Sequence, residues 1–201
     1  MWARVFWLPL AVGLAAGAQA EPVIAPIVVY AGYQHRPPAP ISDAIRTEVE
    51  GILGHAGIEF NWRSLADSPA NEKSLDLAVI HLKGRCDIGG LLPHHEEPGA
   101  LGWTYVSDGA ILPFGDVDCD RVRSFIQVGL LGVPAKRREQ AFGRAVGRVL
   151  AHELYHILTR NPHHSPKGVG KAEYTVRDLL SDAFVFDENE SEELRVNQPR
   201  P

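Results

Sequence analysis

Residues 22–30 hold a nearly unbroken apolar run, with Val23, Ile24, Ile27, Val28, Val29 and Tyr30. A strand with one wet face would alternate, so this run predicts a strand buried on both faces, central in a sheet. Residues 35–40, rich in proline, read as a connector. Ala44, Ile45, Val49, Ile52 and Leu53 then recur at helical spacing, with Ser42 as the expected cap and Gly57 where such a helix would stop. Short strands are predicted at 58–62 and 75–82, on either side of a polar stretch at 64–73. Two more, 101–106 and 110–114, are separated by the turn signal Asp108-Gly109. Residues 122–128 predict a short helix.

From Ala135 no breaker interrupts the chain up to Arg160, and Phe142, Ala145, Val146, Val149, Leu150, Leu154, Ile157 and Leu158 mark an apolar stripe. Pro134 stands where proline favours a helix start, and Gly143 and Gly147 permit close packing against a neighbour. Residues 176–186 predict the last helix, capped by Thr175 with Asp178 at the capping-box position. The acidic, proline-ended tail at 187–201 is expected to be disordered.

The length of 201 residues fits one domain. A net charge of -5 argues against a general nucleic-acid binder, and the Arg-rich stretch 136–148 reads as the solvated face of a helix. Arg4, an apolar segment at 5–16 and Ala18-Gln19-Ala20 have the order of an export signal over 1–20, with a mature chain from Glu21. The expected location is therefore secreted or periplasmic, without a stable membrane anchor after cleavage, because the apolar segment is too short to span. In such a compartment Cys86 and Cys119 are expected to pair.

The chemistry is concentrated in His152-Glu153-Leu154-Tyr155-His156. Residues four apart share a helix face, so His152 and His156 can grip one metal ion, and Glu153 can take a proton from a water that the metal activates. Two more histidines, His163 and His164, follow Asn161 and Pro162. His94, His95, Glu96 and Glu97, between prolines, read as a solvated loop rather than a second metal cluster.

In the stretch from Leu150 to His164 the chain resembles the metzincin zinc peptidases, whose motif is H-E-x-x-H-x-x-G-x-x-H. Thr159 stands at the glycine position and Pro162 at the third histidine. A helix two residues longer, with Asn161 in the left-handed conformation, makes His164 the expected third ligand and leaves His163 as its rival. A gluzincin-type site would instead use a carboxylate on a later helix, such as Asp178 or Asp182. The resemblance implies an α+β, zincin-like domain over 21–186, with a mixed twisted sheet and an antiparallel edge strand packed on a long active-site helix. Residues 101–106 are the candidate substrate-binding edge. It further implies Zn2+ held by His152, His156 and His164, Glu153 as general base, and a peptide or protein substrate. The family's methionine turn has no counterpart, since Met1 is the only methionine, so another apolar side chain between Tyr174 and Leu180 would fill that place. Tyr174 reads first as a packing residue, and second as a group that steadies an oxyanion.

The leading expectation is thus an exported zinc metallopeptidase. The competing one is a catalytically inactive, zinc-stabilised exported binding protein, against which the intact Glu153 speaks.

Overall fold

The computed structural model describes residues 26–67, 77–90, 93 and 99–197. The export signal at 1–20 and the cluster His94, His95, Glu96 and Glu97 lie outside them. β1 (Ile27–His35) is buried along its first six residues. It pairs in parallel with β2 (Phe60–Ser64) on one side and β3 (Leu77–Arg85) on the other. The central position expected from its continuous apolar run is realised. The strand continues through Tyr33 to His35 because the ladder to β3 continues, so it takes in the start of the expected connector.

The remaining two strands form a hairpin, β4 (Gly102–Ser107) and β5 (Ala110–Asp118). Its turn, Asp108-Gly109, has φ of 49° and 78°, the positive values that a tight right-twisted hairpin requires. β5 runs parallel to β3, and β4 antiparallel to β5, giving the order β2-β1-β3-β5-β4. The fold is α+β, with one mixed sheet whose antiparallel strand lies at the edge.

α1 (Ala39–Gly54) starts three residues before the expected cap Ser42. Pro38 precedes it and Pro40 occupies its first turn, where a missing N–H leaves no helical bond unmade. α2 (Cys119–Ile126) is capped by Asp118, whose side chain accepts from the Arg121 N–H. A disulfide between Cys86 and Cys119 ties the end of β3 to the start of α2. α3 (Ala135–Thr159) lies across the sheet and against α1. At Gly143 an added Cβ would stand 2.5 Å from the Ala44 Cβ, and at Gly147 2.9 Å from the Glu48 Cβ. The two backbones approach closely because both positions lack a side chain. Among the described residues no helix is long and apolar enough to cross a membrane.

Three expectations need correction. Arg148 is not on a solvated face: it is fully buried, its Nε bonded to Glu48 at 2.6 Å. Its other nitrogens reach the Asp178 carbonyl at 2.6 Å and the Ser181 carbonyl at 2.8 Å. Those bonds also explain the second correction. The capping box of Thr175 and Asp178 forms as expected, but α4 spans only Val176–Leu180. Its last carbonyls turn to the Arg148 guanidinium, and the chain becomes extended at Ser181. Third, the tail is not wholly disordered. α5 (Glu188–Val196) opens with a capping box of Asp187 and Glu190 and buries Leu194. One apolar anchor and a complete cap stabilise a helix that its acidic composition hides.

Candidate metal centre

The motif lies in the most buried part of α3, where every residue from Val149 to Ile157 is enclosed. His152 and His156, one turn apart, bring their Nε2 atoms to 3.0 Å. Each Nδ1 faces a backbone carbonyl, His152 that of Val169 at 2.8 Å and His156 that of Asn161 at 2.6 Å. A carbonyl only accepts, so each Nδ1 carries the proton and each Nε2 presents a lone pair. Two lone pairs then confront one another. Both rings are held neutral: burial first, and then the neighbouring His156, bring His152 down to about 3, and burial lowers His156 as well.

α3 ends one residue earlier than the motif argument expects. Arg160, not Asn161, takes the left-handed conformation, with φ 54°. A side chain there costs about 1–2 kcal/mol relative to glycine. Asn161 is engaged otherwise: its carbonyl meets His156, its Oδ1 accepts from the His163 N–H at 2.9 Å, and its Nδ2 donates to Glu193. The reversal brings His164 back over the helix. Its ring stacks on His152 at 5.1 Å and meets His156 edge-on at 4.9 Å. Nitrogens of His152, His156 and His164 all lie within 4.8 Å of one another, the single such group of potential ligands among the described residues. His164 is the exposed member of the group; His163, exposed as well, is not part of it. Asp178 is committed to Lys171 at 2.6 Å and to its own cap, and Asp182 is fully exposed, so neither joins the cluster.

Glu153 is buried, and its carboxylate accepts from the Thr104 hydroxyl at 2.8 Å. It fits beside β4 because residue 102 is glycine; an added Cβ would come within 2.8 Å of its Oε1. Burial is the main reason its pKa rises to about 7, with the Thr104 bond opposing and Asp116 adding. Asp116 is itself buried and bound to Lys83 at 2.5 Å and to the Tyr105 hydroxyl at 2.7 Å.

Tyr174 lies edge-on to His152 at 5.8 Å and to Phe184 at 5.5 Å. Its hydroxyl donates to the Val169 carbonyl, the same oxygen that orients His152. Of the stretch 174–180, it is therefore this ring that lies against the histidines. Burial, and then Glu153, raise its pKa well above the ordinary phenol value.

The cluster opens into a cleft of about 780 Å³ between β4, α3 and the loop before α4. Leu101, Phe125 and Val149 form apolar wall, while Lys171 and Glu173 add charge at the loop. Sequence reasoning missed Thr104, Val169, Glu193 and the Asn161 carbonyl as the acceptor that orients His156. Thr104 lies in the predicted edge strand and Asn161 in the motif stretch, whereas Val169 and Glu193 act from outside any motif spacing.

No protein-family model and no curated protein matches this chain. Among solved structures it is similar to the crystal structure of archaemetzincin from Methanopyrus kandleri, at 16% identity and a TM-score of 0.49, over 86% of this chain and 94% of that one.

Proposed function

We propose that this chain is a zinc-dependent peptidase in which His152, His156 and His164 hold the metal and Glu153 is the general base. The observation that carries this reading is the pair of Nε2 atoms 3.0 Å apart, with both Nδ1 atoms already facing carbonyls. Such an arrangement is repulsive unless a cation lies between the lone pairs, and three imidazoles suit zinc while leaving a coordination position open. Bound zinc would supply Lewis acidity, making water more acidic and a carbonyl more electrophilic.

The protein's own groups do the rest. The Val169 and Asn161 carbonyls fix the ring tautomers. Glu153, about half ionised at neutral pH and increasingly so above it, accepts a proton from the attacking water and returns it to the leaving amine. Thr104 keeps that carboxylate aimed at the cleft. The free edge of β4 offers backbone groups to an extended peptide, which would add as a further strand. An inactive zinc-stabilised protein would have no use for a buried, desolvated carboxylate beside the histidines.

Export through residues 1–20 belongs to the same reading, and the Cys86–Cys119 disulfide suits an oxidising compartment. Sequencing the N-terminus of the exported protein tests it; a start other than near Glu21 would argue against it.

Elemental analysis tests the metal. One zinc per chain is expected, lost in His152→Ala and His164→Ala and kept in His163→Ala. Glu153→Ala should keep the zinc and lose peptide hydrolysis. A folded wild type that takes up no zinc would overturn the proposal.

A further inference from the structure

Both carbonyls that orient the histidines belong to irregular chain, and both are held from the C-terminal segment. Asn161 places its carbonyl on His156 while its Nδ2 donates to the two oxygens of Glu193, at 2.9 and 3.0 Å. Glu193 lies on α5 and also accepts from the Tyr155 hydroxyl at 2.6 Å, a residue of the zinc helix itself. Val169 places its carbonyl on His152 while its own N–H donates to the Val185 carbonyl at 3.1 Å, two residues before the Asp187 cap of α5. Glu190 packs on neighbouring Gly170 with no space for a Cβ between them, and the Phe186 ring lies tilted against Tyr155 at 5.2 Å. Residues 185–193 therefore reach round the back of the cluster and touch both loops that aim its rings.

We propose that α5 is a working part of the metal centre, with Glu193 the positioning residue that sets His156 through Asn161. The inference rests on the zinc reading above. Glu193 touches neither metal nor substrate; it holds Asn161 and Tyr155 so that the Asn161 carbonyl stays in line with Nδ1. Groups that orient metal-bound histidines in this way change affinity by about 10–100-fold when removed. Linkage requires the converse: if docked α5 strengthens zinc binding, zinc must strengthen the docking of α5 by the same factor.

The test is zinc affinity of the purified full chain, by chelator competition, in wild type, Glu193→Ala, Glu193→Gln and Glu192→Ala. Among the described residues Glu192 pairs with Arg195, at 3.0 Å on the exposed side of the helix. Glu193→Ala should bind zinc about 10–100-fold more weakly. Glu193→Gln, with one acceptor oxygen for two donors, should fall between, and Glu192→Ala should match wild type. Amide hydrogen exchange in wild type, with and without zinc, gives a readout that does not depend on any variant folding: zinc should slow exchange across 188–196. A folded Glu193→Ala with wild-type affinity, an equal loss in Glu192→Ala, or α5 exchange indifferent to zinc would each overturn the inference. Any of these with normal zinc uptake by wild type leaves the peptidase reading standing; no uptake by wild type defeats both.

Discussion

The two halves of α3 are held by different kinds of neighbour. From Phe142 to Leu150 the helix meets α1 and the sheet through apolar surface, and Gly143 and Gly147 let the backbones close up. From His152 to Thr159 its partners are the Val169 and Asn161 carbonyls, the Thr104 hydroxyl and Glu193, one bond at a time. Shape holds the first half; in the second, where Leu154 and Ile157 still pack in the core, direction is added. Packing tolerates side chains of similar volume, whereas a ring aimed by one hydrogen bond loses its aim when that bond goes. Arg148 stands at the boundary, a buried charge that fastens α1 and α4 to the middle of the helix.

That contrast can be broken experimentally. The largest expected effect is chemical: Glu153→Gln should reduce cleavage of a quenched peptide library by about 10²–10⁴-fold, with the melting transition and zinc content kept. Full hydrolysis in that variant would remove Glu153 from the mechanism. Next comes the boundary. Arg148→Met leaves Glu48 and two helix-end carbonyls without their buried partner, and should cost about 3–5 kcal/mol in urea unfolding.

Gly147→Val pushes a branched side chain into α1 and should cost about 1–3 kcal/mol while zinc affinity stays the same. A fall in zinc affinity there would mean that the two halves are not separable.

The smallest effect is on the pH profile of the metal-free protein. His152, lowered from 6.5 to about 3, stays neutral in the fold while the unfolded ring takes a proton, so stability falls as pH drops below 6.5. Glu153, raised from 4.5 to about 7, keeps its proton in the fold, so its contribution is present below 4.5 and is lost as pH rises through 7. His156, lowered too, adds to the loss in acid, so between 4.5 and 6.5 Glu153 opposes the histidines and the urea midpoint should fall only gently as pH drops. It should fall more steeply below 4.5 and fall again above 6.5; Glu153→Gln should abolish the fall above 6.5 and steepen the one between 4.5 and 6.5.

The elements that the pattern predicts well are those held by shape. β1, α1 and α3 announce themselves because burial imposes a period on nearby residues, and the spacing of His152 and His156 states its own geometry. Even the Cys86–Cys119 pair and the Thr175 capping box follow from local or compositional cues. Misreadings cluster where polar groups find distant partners. Arg148 reads as surface because nothing near it announces Glu48, one hundred positions away. α5 reads as disordered because its value lies in Leu194 and Glu193 meeting α3, which no property of an acidic nonapeptide reveals. His164 and His163 are equivalent as residues, and only the left-handed turn at Arg160, fastened through Asn161, brings one ring to the cluster and leaves the other outside it. Helix and strand periods are properties of neighbouring residues, so they are written along the chain. A hydrogen bond between Glu193 and Asn161 exists only once the intervening chain has folded back, and its direction is set by everything that positions both ends.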